Sequence, residues 1–217
     1  MPASQVAIAV DRSVEGLRLL DHPYYRQWQE GLLTRGELAE YAEQYRHFER
    51  VLPEALEAVA SRLPAGPAHD LVAGNVEDER SRPEPHVDLF EAFATAVGSE
   101  EDKVATVATQ KLVDLYREAA EAGPIEALAV IAAYETQAGD IAATKAASLD
   151  QHYGLSAQEA RFWAVHSEME AAHAAWTTEA LDRLGAEPLT VSEWSSRSAR
   201  AWWSFLDERS HQSPLAV

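Results

Sequence analysis

The sequence contains no cysteine among its 217 residues. This absence excludes disulfide bonds, thiolate metal sites, iron–sulfur clusters and a cysteine nucleophile. Any metal ion that this chain binds must therefore be held by histidine and carboxylate side chains. Both kinds are available, since the sequence has 8 His and 36 Asp and Glu.

Basic residues are scarce. Lys and Arg together number 18, which gives a formal net charge of −18. An acidic surface repels phosphate backbones and anionic lipids. We therefore expect no nucleic acid and no membrane among the partners. Most of the acidic excess is expected only to keep the surface solvated. The first residues lack the basic segment and long apolar core of a secretory signal, and no apolar run reaches about 18 residues, so we expect a cytoplasmic protein.

Alternating β-branched runs bounded by hairpin turns are also missing. Apolar residues instead recur at intervals of three and four along almost the whole chain, which is typical of helices. We therefore predict an all-α fold, a single domain over residues 1–217 and a loose tail of about eight residues at the end. The pattern predicts seven or eight helices, at about 4–20, 23–31, 35–62, 67–96, 101–121, 125–150, 157–184 and 192–208.

Local chemistry marks several of these boundaries. Asp21 is the expected cap of the second helix. The segments Thr34-Arg35-Gly36-Glu37 and Ser156-Ala157-Gln158-Glu159 both match the capping box and predict helix starts. Pro83 and Pro85 are expected to break the helix predicted at 67–96, because proline lacks the amide donor that a helix needs.

The strongest chemical signal is His166, Glu170 and His173 in the helix predicted at 157–184. At about 100° per residue, the three side chains fall within about 60° of one another on one helix face. Two imidazoles and a carboxylate that converge in this way can bind a metal ion. The structural alternative is a surface stripe or a hydrogen-bonded pair of core histidines.

Two further segments carry candidate ligands. Glu77, Asp78 and Glu79 lie late in the helix predicted at 67–96, and His86 follows seven residues after Glu79. The alternative is that this acidic run is simply a solvated helix end. Glu135 lies in an otherwise apolar stretch, where a buried carboxylate needs a cation, a metal ion or a proton. A capping or surface role is the alternative for Glu135.

Carboxylate oxygen and imidazole nitrogen suit iron or manganese with open positions for dioxygen. Structural zinc more often takes Cys or a closed tetrahedral set, so zinc is the second candidate. If three carboxylates and three imidazoles hold two ions, we expect at least one carboxylate to bridge.

These residues resemble those of a known family, the haem-oxygenase-like di-metal oxidases, and among them the CADD-like proteins of folate biosynthesis. The likeness extends from about Leu20 to Asp207 and includes the segments His22-Pro23-Tyr24-Tyr25 and Tyr134-Glu135-Thr136-Gln137. At Glu170 the chlamydial member has Asp instead. The six positions that match the family's ligand pattern are Glu79, His86, Glu135, His166, Glu170 and His173.

The resemblance implies a haem-oxygenase-like helical bundle with two metal ions, Fe/Fe or Fe/Mn, that uses dioxygen and an external reductant. It further implies that the protein makes para-aminobenzoate from its own residues. Tyr25 would supply the ring, Lys145 would supply the nitrogen, and Tyr41 matches a second functional tyrosine. Taken alone, these tyrosines also suit core aromatics, and Lys145 also suits a solvated helix residue.

Competing functions stay open at this point. A related oxidase that acts on an external small molecule, such as an amino acid, amine or fatty acid, would share the same ligands. Thiaminase-type enzymes of the TenA branch typically use a cysteine, and neither these nor the PqqC-like cofactor-free oxidases need this ligand set. A non-enzymatic interaction module has no reason to carry converging His and Glu. A homodimer is one assembly that the sequence leaves open.

Overall fold

The computed structural model describes residues 3–81 and 84–210, and in these ranges the chain is all-helical with no strand. The predicted all-α class is confirmed. A short 3₁₀ helix, Leu19–Asp21, precedes the second α-helix. The α-helices are α1 (Gln5–Val14), α2 (Pro23–Gln29), α3 (Arg35–Arg62), α4 (Pro67–Ser81), α5 (His86–Val97), α6 (Val107–Ala122), α7 (Pro124–Tyr153), α8 (Arg161–Arg183) and α9 (Pro188–Ser210).

The described residues form nine α-helices rather than seven or eight, because the helix predicted at 67–96 is two helices. The predicted break is confirmed: α4 ends at Ser81, and Pro85 is the N-cap of α5. Pro83 lies outside the described residues, as does the end of the chain after Ser210, where a loose tail is predicted. The first helix is shorter than predicted and ends at Val14, two residues before Gly16 with its positive φ of 79°.

One capping prediction is confirmed and two are wrong. Thr34 forms the full capping box at the start of α3. The Ser156 amide also donates to the Glu159 carboxylate, over 2.7 Å, but this bond closes a turn and α8 begins only at Arg161. Asp21 does not cap α2. The Nδ1 atom of buried His22 accepts the Tyr24 amide instead, and Asp21 pairs with Arg26 over 3.0 Å.

Helix α7 lies at the centre of the bundle and packs against α8, α9, α6 and α3. Residues 127–135, in its first half, are buried throughout and rich in alanine, so neighbouring helices approach on several sides. A side chain at Gly139 would meet Glu170 of α8. The candidate ligands on α4, α5, α7 and α8 therefore face a common interior. In the part of the chain that the structure describes, no helix is both long and apolar enough to cross a bilayer.

Candidate metal centre and tyrosine–lysine cluster

The predicted ligands come from four helices, and every one of them is buried. Glu79 lies in the last turn of α4, and His86 opens α5 on the far side of the proline break. Glu135 is at the middle of α7, and α8 carries the remaining three on one face. The buried set is Glu79, His86, Glu135, His166, Glu170 and His173.

Three of these residues are close enough to share one ion. Single ligand atoms from Glu79, His86 and His166 all lie within 4.8 Å of one another. The His86 Nδ1 atom is 3.0 Å from Glu79 Oε2, and the His86 and His166 ring centroids are 4.4 Å apart. Glu79 of α4 and His86, the first residue of α5, therefore meet across the break between the two helices. This group fits a metal ion in its donor types and its burial.

The other three residues adjoin this group. His173 Nδ1 is 4.0 Å from Glu79 Oε1 and 3.9 Å from Glu170 Oε2. Glu135 Oε1 accepts a 2.8 Å hydrogen bond from Asn75. The buried Oε2 atoms of Glu135 and Glu170 have no hydrogen-bond partner among the described residues. A buried acceptor without a partner costs free energy, so these two atoms fit a cation in the space between the helices.

The electrostatics of the group also favour a cation. Burial, followed by the charges of Glu135 and Glu79, raises the pKa of Glu170 well above its usual range. Burial likewise raises the pKa of Glu135. Burial and the nearby His86 lower the pKa of His166 to about 3, so this imidazole is neutral at physiological pH and its nitrogen lone pair is available.

The orientation of His166 is set by its own helix. Its Nδ1 atom lies 2.8 Å from the Phe162 carbonyl oxygen, one turn earlier in α8. A carbonyl can only accept, so Nδ1 carries the proton and donates. The Nε2 atom of His166 is therefore the nitrogen that can bind metal.

A second cluster lies beside the first and joins Lys145 of α7 to tyrosines of α2 and α3. The Lys145 Nζ atom is 2.6 Å from the Tyr41 hydroxyl and 3.0 Å from the Tyr25 hydroxyl. The two hydroxyls are themselves 2.8 Å apart. The structure thus brings together all three residues that the resemblance selected, in one closed triangle of hydrogen bonds.

This lysine is only 2% exposed and has aromatic rings around its amine. Burial lowers the pKa of Lys145 well below its usual value, and the charge of Glu49 offsets this only in part. Burial also raises the pKa of both Tyr25 and Tyr41. The rings whose centroids lie 3.9–5.2 Å from Nζ belong to Trp163, Tyr25, Tyr41, Trp28 and Tyr45.

The two clusters are linked by a second tyrosine pair. The Tyr41 ring stacks on Tyr45 at 5.3 Å, and the Tyr45 and Tyr134 hydroxyls are 2.7 Å apart. Tyr134 directly precedes Glu135 in α7. The aromatic contacts therefore run without interruption from the lysine to the residue next to a candidate ligand.

A family model described as an iron-containing redox enzyme matches residues 39–202. This range covers most of the chain and contains all six candidate ligands. The chain belongs to this family. It is accordingly an oxidoreductase of an iron-containing class, and the resemblance to haem-oxygenase-like oxidases is confirmed.

Relatives of this iron-containing redox enzyme carry a more specific name. The 4-aminobenzoate synthase of Nitrosomonas europaea is 32% identical, over 91% of this chain and 88% of that protein. The 4-aminobenzoate synthase of Chlamydia pneumoniae is 28% identical, over 91% of each chain.

Solved structures share the fold at low sequence identity. A TenA homologue from Pseudomonas syringae superposes with a TM-score of 0.80 at 14% identity, over 95% of this chain and 93% of that chain. A CADD-like protein of unknown function from Nostoc punctiforme gives 0.71 at 16% identity, over 94% and 98%. These likenesses confirm the haem-oxygenase-like bundle.

Two buried polar residues near the candidate ligands of this redox enzyme were not predicted from the sequence, Glu49 and Asn75, and buried Asp78 was not distinguished from the rest of its acidic run. Burial and the charge of Glu79 raise the pKa of Glu49 well above its usual range. Glu49 lies between Phe48 and Arg50, with Arg46 and His47 just before it, so its local sequence carries no signal like the apolar stretch around Glu135.

Proposed function

We propose that this protein is a dioxygen-activating oxidase with two metal ions, Fe/Fe or Fe/Mn, and that it forms para-aminobenzoate from its own Tyr25 and Lys145. The observation that carries the proposal is the contact of the buried Lys145 amine, whose pKa is lowered by burial, with the Tyr25 and Tyr41 hydroxyls. The names of the Nitrosomonas and Chlamydia relatives support the same product, since 4-aminobenzoate and para-aminobenzoate are one compound.

The ligands we propose are Glu79, His86, Glu135, His166, Glu170 and His173. Three carboxylates and three imidazoles balance the charge of two divalent ions better than that of one, and they leave positions open for dioxygen. When bound, the two ions would supply the redox chemistry that activates dioxygen, with electrons from an external reductant. The Oε2 atoms of Glu135 and Glu170, which lack a hydrogen-bond partner among the described residues, would be available to hold these ions.

Comparison of the product with a tyrosine side chain shows why Lys145 matters. Para-aminobenzoate has an amino group where tyrosine has its hydroxyl, and a carboxyl group where tyrosine has Cβ. The new nitrogen must therefore arrive at the ring carbon that bears the hydroxyl, and the hydroxyl oxygen would leave as water. The Cε–Nζ bond of Lys145 and the Cα–Cβ bond of Tyr25 would also break, with dioxygen as the oxidant that brings Cβ to the carboxyl level. Lys145 Nζ lies 3.0 Å from the Tyr25 hydroxyl oxygen, next to that carbon.

Burial gives the lysine the required protonation state. An ammonium group has no lone pair, but an amine held neutral by an apolar environment is a nucleophile at neutral pH. The surrounding rings exclude water and hold the amine in place. Tyr41, which touches both partners, can hand a proton between Lys145 Nζ and the Tyr25 hydroxyl oxygen.

The proposal is tested with reduced, metal-loaded protein that is exposed to dioxygen without any aromatic substrate. We expect release of para-aminobenzoate, and we expect Tyr25→Phe and Lys145→Arg to abolish it while metal content stays at the wild-type level. Matched controls are Lys111→Arg, on the surface of α6, and Tyr153→Phe. The Tyr153 hydroxyl accepts a hydrogen bond from the Leu33 amide and is not part of the tyrosine–lysine cluster.

The two tyrosines must be separated in the same experiment, because both hydroxyls contact Lys145. Peptide mass analysis after reaction should show the loss at Tyr25 and an intact Tyr41 ring. If Tyr25→Phe still makes product, or if each chain makes many molecules, an oxidase that acts on an external small molecule replaces this proposal.

A further inference from the structure

His173 is held from both sides by two consecutive acidic residues of α4. Its Nε2 atom lies 3.3 Å from Asp78 Oδ2, and its Nδ1 atom lies 4.0 Å from Glu79 Oε1. The His173 side chain is 1% exposed and that of Asp78 is 9% exposed, so the contact is made inside the protein. The proposed role of His173 as a metal ligand does not explain why Asp78 is buried against its other ring nitrogen.

The contact determines which nitrogen of His173 can bind a metal ion. A carboxylate can only accept hydrogen bonds, so the Asp78 contact requires the imidazole proton on Nε2. The lone pair is then on Nδ1, the atom that faces Glu79 and Glu170. His166 shows the opposite arrangement, because its hydrogen bond to the Phe162 carbonyl holds the proton on Nδ1 and leaves the lone pair on Nε2.

Asp78 and Glu79 compete for the imidazole proton of His173. The Glu79 carboxylate lies 4.0 Å from Nδ1 and could attract the proton to that atom. A proton on Nδ1 would block the lone pair that a metal ion needs. Asp78 removes this competition by holding the proton on the far side of the ring.

We propose that Asp78 is a positioning residue that fixes the Nε2-protonated tautomer of His173 and so presents Nδ1 as a metal ligand. The inference rests on the metal centre of the proposed function. A partner of this kind typically changes metal affinity by about 10- to 100-fold.

The first test measures affinity with Zn²⁺ alone, a redox-inert probe, on the purified full chain. We expect Asp78→Ala to weaken the binding of one Zn²⁺ by about 10- to 100-fold. Asp78→Asn should lose less, because its amide oxygen can still accept the Nε2 proton. The matched control is Asp70→Ala, which removes the same charge from the same helix at an exposed site. Wild-type affinity in Asp78→Ala, or an equal loss in Asp70→Ala, would overturn the inference.

The second test does not depend on metal or on a variant that folds poorly. Nitrogen-15 NMR of the metal-free wild type, with the His173 signals assigned through His173→Gln, reports which ring nitrogen carries the proton. We expect Nε2 protonated in the wild type and a shift toward Nδ1 in Asp78→Ala, whereas Nδ1 protonation in the wild type contradicts the inference.

His166→Ala separates the two proposals: if it leaves Zn²⁺ affinity unchanged, the metal centre itself is wrong. If it weakens binding while Asp78→Ala does not, only the role of Asp78 is wrong.

Discussion

Replacing Glu170 by Gln should stabilise the metal-free protein, and the gain should grow with pH. Gln is nearly isosteric with a protonated Glu, so the substitution keeps the shape of the group and removes its ability to ionise. Glu170 is buried and has a partnerless oxygen, and its folded-state pKa is raised by burial, Glu135 and Glu79. The wild type should therefore take up a proton when it folds at a pH between the unfolded pKa of about 4.3 and the raised folded pKa.

The sign and size follow from this proton uptake. Because the folded wild type binds more protons than its unfolded chain, its stability falls as pH rises, relative to Glu170→Gln. The slope is about 1.4 kcal/mol per pH unit between the unfolded and folded pKa values. From pH 5 to pH 6 the variant should thus gain about 1.4 kcal/mol over the wild type, or about 3–6 °C in Tm for a chain of this size.

The assay is scanning calorimetry at both pH values, with a chelator present to remove metal ions. Glu168→Gln is the matched control, since it makes the same change at an exposed position of α8. A Tm difference between Glu170→Gln and wild type that does not change with pH would refute the reasoning. So would an equal change in Glu168→Gln.

Two further predictions address the metal ions and the lysine. Because metal binds only the folded site, Mn²⁺ at about 100 times its Kd should stabilise the wild type by about 2.7 kcal/mol per ion, and Glu170→Gln by less. Thermal melting measures this effect, and an unchanged melting curve at saturating Mn²⁺ would argue against a buried site. Lys145→Met should abolish para-aminobenzoate formation. Burial lowers the folded pKa of Lys145, so below the unfolded pKa of about 10.4 the wild type must release a proton from Lys145 when it folds, which lowers its stability. This loss shrinks as pH rises toward about 10.4, so the stability of Lys145→Met relative to wild type should decline. Denaturant unfolding at pH 7 and pH 10 measures this change, and a relative stability that stays constant would contradict a neutral Lys145.

Local periodicity was enough to predict much of the fold and one part of the site. The spacing of His166, Glu170 and His173 places them on one helix face wherever α8 packs. The proline break between Glu79 and His86 is likewise a local effect. A capping-box sequence does not by itself determine where a helix begins. The capping box at Thr34 begins α3, whereas the same bonds at Ser156 only close a turn before α8.

Residues whose role depends on neighbours from other helices could not be predicted in the same way. Asp78 is buried and contacts His173 of α8, whereas the adjacent Glu77 is exposed, and the acidic run itself does not distinguish the two. Lys145 is ten residues from Glu135, about 15 Å along a helix, so the sequence alone does not show which groups the lysine amine contacts. The packing of α2 and α3 resolves this, since it brings Tyr25 and Tyr41 to the lysine.

The most direct test of the central claim follows the atoms from chain to product. Protein is made with ring-labelled carbon-13 tyrosine and side-chain nitrogen-15 lysine, loaded with iron and manganese, reduced and given dioxygen in unlabelled buffer. We expect para-aminobenzoate that carries every labelled ring carbon and the labelled nitrogen, at no more than one molecule per chain. Unlabelled product, or several molecules per chain, would contradict it.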